Sequence, residues 1–419
     1  MRGIKLEGHK DLTKDKKILI VDKPKYVYIP LICNNEEDID IRIRKGSIVS
    51  VGSILAMDKK SNMPIHSSIS GRVVDFVDKY CYTGNVVKTI QIENDFKDTK
   101  VKVTDLKEID KYTKKEFLNI LKECGIKGMG GANFPTYIKY DTKTRIKHLI
   151  INAVECEPYI TADYRIVIDH AKEIIETIDA IMTINKIEHA YIAIKKNNKD
   201  IIKVLDNYLS IYPRIKIVLV PNIYPMGWER KLVNYILHKD YNMLPIELDA
   251  VVNNVSTIYA IYNALKYKMP ITSRLVTIVG DGLKKGTNVD VKIGQDISEV
   301  LDILGHKKRD LLFISGGPMM GKTIEDENFV VTGNVNAILL IKNDDIDLSS
   351  TCLRCGKCTN ICPAKLSPIM IKENINNVEE LEKLNTLKCI ECGLCSYICP
   401  AKILLREYVI RAKKNVRGE

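Results

Sequence analysis

The chain has 419 residues, 45% of them apolar and 6% aromatic, a globular composition long enough for roughly two to four domains and unlike a disordered one. Apolar runs such as HLIINAV fall far short of the ~20 residues a membrane span requires, and no apolar h-region follows the N-terminus, so a soluble intracellular chain without a secretory signal is expected. The net charge of +11 suits an anionic membrane surface or an acidic electron-transfer partner, whereas no nucleic acid is expected, because the cations form no dense tract and accompany no helix-turn-helix or RNA-binding signature.

Residues 1–100 read as β-rich. IRIRKGSIVSVGSILAMD and SSISGRVVDFV are short alternating runs with Gly-containing turns expected near Gly46 and Gly71, which suits a compact barrel or sandwich. From 115 to 265 the pattern changes. HLIINA, HAYIAIK and IKIVLVP have strand character, and RIVIDHAKEIIETIDAIM, NKDIIKVLDNYL and GWERKLVNYILHK carry helical periodicity. Strands alternating with helices imply a parallel sheet, with ligands beyond the carboxyl ends of its strands. Residues 270–345 return to short strands, RLVTIVG, NVDVKI, DLLFISGG and NAILLIK, as in a small mixed β domain. Residues 346–419 hold a cysteine repeat and end in a basic helical tail, LLREYVIRAKKNVRGE.

Eight of the twelve cysteines lie between Cys352 and Cys399, in two copies of C-x₂-C-x₂-C-x₃-C-P. In a chain with no secretory signal this crowding points to metal ligation rather than disulfides. Zinc ribbons favour two separated C-x₂-C pairs, whereas this spacing wraps three thiolates round one cubane and sends the fourth to the other. One 4Fe–4S cluster is therefore expected on Cys352, Cys355, Cys358 and Cys399, and a second on Cys389, Cys392, Cys395 and Cys362. Gly356 and Gly393 keep backbone close to sulfur. Cys33, Cys81, Cys124 and Cys156 are scattered and read as buried free thiols. Such clusters pass single electrons, while pyridine nucleotides exchange hydride, and a flavin converts between the two.

Candidate flavin-site residues follow in GIKGMGGANFPTYIKY, where Gly128, Gly130 and Gly131 leave backbone amides uncovered. A plain glycine turn accounts for that stretch equally well by itself. NAVECEPYITADYR places Asn152, Glu155 and Glu157 at a strand's carboxyl end, and Asn253, Asn254 and Thr257 stand just ahead of a helix, where a phosphate can bind. Asn254 or Ser256 can also simply cap that helix.

These stretches, with YPMGWERKLV, SGGPMMGKT and the paired cysteine motifs, occur in an order that resembles the C subunit of the Rnf complex, the membrane-bound ferredoxin–NAD oxidoreductase. The middle segments are also similar to the flavin-bearing subunit of respiratory complex I. The resemblance implies a multidomain α/β protein: a small β barrel-sandwich, a Rossmann-like flavin domain, a small β-grasp-like domain and a two-cluster ferredoxin-like α module. It implies FMN lined by Gly128, Gly130 and Lys139 over Asn152 and Glu155, its phosphate on Asn253, Asn254 and Thr257, and NADH nearest Phe134 and Glu157. The sequence departs from the family at LEGHKDL, where Gly-Gly-x-His-Pro is usual, and at ICNNEED, where Gln-His-Ile-Gly is usual. It also departs at Val154, an Asp in complex I, and at Trp228 within YPMGWER. GGPMMG, from Gly316 to Gly321, reads as a tight turn without chemistry.

The implied function is electron transfer between NAD(H), FMN and two 4Fe–4S clusters, as a subunit of an ion-translocating oxidoreductase. Its partners would be the other subunits of that membrane redox complex and, through them, ferredoxin. Its place would be cytoplasmic, peripherally attached to the inner face of the cell membrane. Two alternatives stand beside this reading: a soluble adaptor feeding a dedicated reductase such as proline reductase, and a cluster-carrying scaffold without flavin.

Overall fold

A computed structural model describes residues 2–32, 38–306, 311–343 and 351–418. Cys33 and most of ICNNEED lie outside the described residues. After β1 (Leu19–Val21), the N-terminal domain comprises β2 (Tyr26–Pro30), β3 (Ile39–Ile41), β4 (Ile48–Val49), β5 (Ile54–Asp58), β6 (Met63–His66), β7 (Gly71–Cys81) and β8 (Val86–Asn94). β7 and β8 form a long antiparallel pair flanked by β2, and β3, β5 and β6 make a second small sheet. Val27, Ile29, Leu55, Val73, Ile90 and Ile92 fill the space between them. Gly46 takes a left-handed turn (φ 86°), as the sequence indicates. Gly71 opens β7 instead of turning: a Cβ there would stand 1.8 Å from the Glu93 carbonyl oxygen, so the close strand approach requires glycine.

The second unit contains α1 (Lys114–Glu123), α2 (Thr136–Tyr140), β9 (His148–Asn152), α3 (Ala162–Asp169), α4 (Ala171–Asn185), β10 (His189–Lys195), α5 (Lys199–Leu209), β11 (Ile215–Val220), α6 (Glu229–Leu237), β12 (Ala250–Asn254) and α7 (Val255–Tyr267). Its four strands are parallel in the order β11-β10-β9-β12. α1, α4 and α7 pack on one face through side chains such as Phe117, Ile174, Ile178, Ile258 and Ile261. Met226, Leu232 and Val233 cover the other face. Two features differ from the sequence reading. The helix expected over RIVIDHAKEIIETIDAIM is broken at His170, whose ring stacks on Tyr259 at 4.0 Å. And AVVNN, ahead of α7, is a buried strand whose run is too short and too uniformly apolar at its start to show alternation.

The third unit is built on β13 (Ser273–Gly280), β14 (Thr287–Lys292), α8 (Ile297–Leu304), β15 (Leu311–Ser315), β16 (Lys322–Ile324), β17 (Phe329–Val330) and β18 (Ala337–Lys342). β13 and β18 run parallel at the middle of a sheet ordered β1-β14-β13-β18-β15-β16. Two strands therefore cross the expected segment boundaries: β1 joins β14 here, and β17 leaves to pair with β7 of the N-terminal domain. The C-terminal unit contains α9 (Lys357–Ile361), α10 (Pro368–Glu373), α11 (Val378–Lys383), α12 (Leu394–Tyr397) and α13 (Leu405–Arg417). The basic tail is α13, and it buries Leu405, Val409 and Ala412 in the unit's interior. Among the described residues no helix is long and apolar enough to cross a membrane.

Candidate functional site

The two cysteine motifs fold alike. Arg354 and Glu391, at matching positions, are left-handed (φ 52° and 56°), and so are Gly356 and Gly393 (φ 69° and 76°). Each left-handed step turns the chain back on its own first sulfur. The Arg354 N–H donates to Cys352 Sγ and the Glu391 N–H to Cys389 Sγ, both at 3.3 Å, and Leu366 N–H reaches Cys362 Sγ at 3.4 Å. Cys352, Cys355, Cys358 and Cys399 line one cavity of about 320 Å³ with Ile369, Ile403 and Leu405 around them. Cys362, Cys389, Cys392 and Cys395 line a tighter one of about 20 Å³, walled by Leu366, Ile371, Leu394 and Val409. The structure thus groups three thiols of one motif with the last thiol of the other, twice.

Burial pushes the Cys392 and Cys395 thiols up to about 12, and raises Cys358 and Cys389 as well. A thiol so placed gives up its proton only to a cation that replaces the lost hydration, which is what a metal supplies. Among the described residues no three His, Cys, Asp or Glu side chains converge to hold a single ion. The four-thiol sets, the amide donors to sulfur and the apolar walls fit an iron–sulfur cluster.

The second site lies where the strand order reverses. The chain passes from β9 to β10 and β11 on one side, then crosses to β12 on the other, so a crevice opens at the carboxyl ends of β9 and β12. Asn152 and Asn254 are register partners at that point. Asn254 caps α7: its Oδ1 accepts from the N–H groups of Ser256 (2.9 Å) and Thr257 (3.4 Å), and its Nδ2 donates to Asp163 at 2.6 Å. The glycine loop sits on this helix start. Met129 N–H donates to Thr257 Oγ1 at 2.9 Å, and a Cβ on Gly130 would come within 3.2 Å of Asn254 Cβ. Gly130, Gly131 and Phe134 are exposed, and Gly131 (φ 108°) has open space where a Cβ would stand. At the loop's downstream end Thr136 buries a hydroxyl that meets no hydrogen-bond partner among the described residues. Gly128 departs from the expectation: its N–H is covered, donating to the Phe134 carbonyl at 2.8 Å and closing the loop's base, so the open stretch is Gly130 and Gly131. That exposed stretch on a capped helix N-terminus at a switch point fits a flavin phosphate and its ring system.

The remaining expected residues are engaged by the protein. Lys139 Nζ donates to the Val252 carbonyl at 2.7 Å, and burial lowers its pKa. Asn152 Nδ2 holds the Gly227 carbonyl at 2.9 Å. Asn253 points to the opposite face from Asn254 and donates to the buried Tyr140 hydroxyl. Glu155 accepts from Lys10 Nζ (3.3 Å) and the Asp163 N–H (2.7 Å), and burial pushes its carboxyl up to about 7. Glu157 is also raised to about 7 by burial and accepts the Met319 N–H at 3.1 Å. The reading of the sequence missed Lys10, Asp163, Arg274 and Tyr224. Arg274 is buried and donates to the Met129 carbonyl at 3.0 Å, holding the glycine loop from below. The sequence signal that could have found it is an arginine heading the apolar run RLVTIVG, a place where a charged side chain is seldom buried without a task. Lys10 lies within LEGHKDL, so the altered N-terminal element now braces the loop that carries Glu155. Of the scattered cysteines, Cys81 and Cys124 are buried and Cys156 is partly so; Trp228 is half-buried at the start of α6.

Comparisons with known proteins match the same units. Residues 1–97 match the RnfC barrel sandwich hybrid domain, 121–263 the Nuo51 FMN-binding domain, and 344–400 a 4Fe-4S dicluster domain. The C subunit of the proton-translocating ferredoxin:NAD(+) oxidoreductase complex of Clostridium ljungdahlii is 33% identical over 88% of this chain and 82% of its own length. Its counterpart in the Na(+)-translocating ferredoxin:NAD(+) oxidoreductase complex of Acetobacterium woodii is 30% identical, over 88% and 86%. The C subunit of the ion-translocating oxidoreductase complex of Rhodobacter capsulatus is 31% identical, over 89% and 74%. Among solved structures, a chain of an NAD+-reducing [NiFe]-hydrogenase in the H2-reduced state aligns with a TM-score of 0.52 and 14% identity over 75% of this chain and 64% of that one, a likeness of fold alone. With identity at this level along most of both chains, and with the domain models falling on the units that carry the glycine loop and the cysteine sets, the chain belongs to the RnfC family, the C subunits of the Rnf ion-translocating oxidoreductase complexes.

Proposed function

We propose that this chain carries electrons between NAD(H) and one-electron partners, with FMN at the β9/β12 crevice and two 4Fe–4S clusters in the C-terminal unit, as a peripheral subunit of a membrane-bound ferredoxin–NAD oxidoreductase. One observation carries the reading: a single chain joins a glycine loop, exposed at Gly130 and Gly131 and seated on a helix N-terminus, to two sets of four thiols, each drawn from both motifs. Bound flavin supplies the exchange between hydride and single electrons, and the clusters supply the single-electron steps. The chain's own residues bind and orient. The amides of Gly130 and Gly131 and the start of α7 receive the phosphate side, while Arg274, Thr257 and the bond from the Gly128 N–H to the Phe134 carbonyl fix the loop. Exposed Phe134 offers an aromatic face for the nicotinamide nucleotide, and Glu157 closes the crevice on the side of the third unit. A Rossmann-like description of the second unit and a β-grasp-like one of the third agree with the sheet orders.

The Cys352 set opens outward, with Cys355 exposed and the adjoining Leu353 64% exposed. Arg354 and Lys357 line the same cavity, which suits an acidic electron-transfer partner. A net charge of +11 suits attachment to an anionic membrane face through the other subunits. Relatives matched along most of their length are named as members of such complexes, so the free adaptor is not favoured. Anaerobic titration of the reconstituted protein with NADH tests the reading. Flavin absorbance near 450 nm should bleach, and reduced-cluster EPR signals should follow. Cluster-replete protein that binds no flavin and ignores NADH would overturn it.

A further inference from the structure

The two cysteine sets stand in different surroundings. Around Cys392 three segments from other units close in. Tyr224, 1% exposed, donates its hydroxyl to the Cys392 carbonyl at 2.7 Å. Met319 packs with Tyr224, Cys392 and Leu394 in one apolar cluster. Gly393 must be glycine, because a Cβ there would stand 2.5 Å from the Met319 carbonyl oxygen. From α13, Arg406 donates to the carbonyls of Met320 (2.8 Å), Gly321 (3.4 Å) and Glu391 (3.0 Å), pinning the cysteine motif to the GGPMMG turn. Arg2 donates to the Cys362 carbonyl at 3.2 Å.

The same turn meets the loop that follows β9, the strand at whose carboxyl end the crevice opens. Met319 N–H is held by Glu157, which follows β9 and approaches the Tyr224 hydroxyl at 3.5 Å. Gly317 leaves room for that carboxylate, since its Cβ would lie 2.2 Å from Glu157 Oε2. The turn that looked like simple punctuation in the sequence therefore joins the crevice loop to the backbone of a cysteine ligand.

We propose that the Cys362, Cys389, Cys392 and Cys395 set is the flavin-side end of the C-terminal unit, and that Tyr224 and Arg406 are its positioning residues, fixing the set against the Glu157–Met319 junction and raising its reduction potential. This rests on the iron–sulfur reading above. A hydroxyl hydrogen and a guanidinium aimed at the carbonyls around a cluster put positive charge where the reduced form gains negative charge, so removing either lowers the potential. A role confined to packing would leave the potential where it is.

The test is an anaerobic redox titration followed by EPR on the full-length, reconstituted chain. Cys395→Ser and Cys355→Ser assign the two cluster signals. In Tyr224→Phe, which keeps the ring, both clusters should assemble, and the signal altered by Cys395→Ser should shift to lower potential while the other stays. Should Tyr224→Phe fail to accumulate, Arg406→Gln carries the same expectation at the same signal. Unshifted potentials in the variants, or a shift confined to the signal altered by Cys355→Ser, would overturn the assignment while leaving the two-cluster reading intact. Wild-type protein that takes up no iron would overturn both.

Discussion

Glu155 and Gly130 show how much of the crevice depends on single side chains. Burial outweighs the attraction of Lys10 at Glu155, so the folded carboxyl titrates at about 7, above its ordinary 4.5. A raised acid stabilises the fold fully below 4.5 and loses that contribution as pH rises through about 7. A shift of that size corresponds to on the order of 3 kcal/mol, because each unit is ~1.4 kcal/mol. Glu155→Gln, which still accepts the Asp163 N–H, should flatten the fall in denaturant stability across the window from 4.5 to about 7. An unchanged slope would show that Glu155 stays ionised throughout. At Gly130 the issue is space: a Cβ 3.2 Å from Asn254 forces the loop or the cap to give by a few tenths of an ångström. Gly130→Ala should lower flavin content several-fold in purified protein with iron content unchanged; full flavin occupancy would place the phosphate elsewhere.

At the scale of elements, the start of α7 does three things at once. Its Asn254 cap closes the helix, its Thr257 hydroxyl holds the Met129 amide, and Asp163 of α3 is tied to it by Asn254 and Ser256. Asn254→Ala should cost about 2 kcal/mol, the sum of a lost cap and a partly orphaned buried carboxylate. Asn254→Ser restores the cap alone and should recover roughly half, as read by urea unfolding. Equal stability of all three proteins would mean that neither the cap nor the Asp163 contact matters. The sequence made the ingredients of this element visible, Asn-Asn ahead of a helix and a glycine loop, because caps and glycine turns are local. It did not make visible that AVVNN is a strand. β12 is an edge strand buried on both faces, Val251 in one apolar layer and Val252 in the other, so it lacks the polar alternation that marks an exposed strand. Without that strand the sequence shows no switch point, and the two asparagines cannot be seen as neighbours.

For the molecule as a whole, the cysteine spacing was the most legible feature, and pairings between distant segments the least. β1 and β17 are three and two residues long, too short for any period, and their partners lie in other units. Those exchanges tie the N-terminal domain and the third unit together by backbone hydrogen bonds. The C-terminal unit has no strand exchange of this kind among the described residues. Its interior beyond the cysteines is small, chiefly Leu366, Ile371, Leu381, Val409 and Ala412. A core of that size falls below what a short helical segment needs to stay folded alone, so metal ligation must contribute directly to its stability. Stripping the iron anaerobically with a chelator should therefore raise amide exchange in α10, α11 and α13 to near that of an unfolded chain. The parallel sheet β9–β12, closed by its own apolar layers, should keep its protection. Tyr224 and Arg406 lie on the boundary, and their contacts should be lost with the unit they pin. If α10 to α13 stay protected without iron, the helices are held by their docking on the GGPMMG turn and not by the clusters.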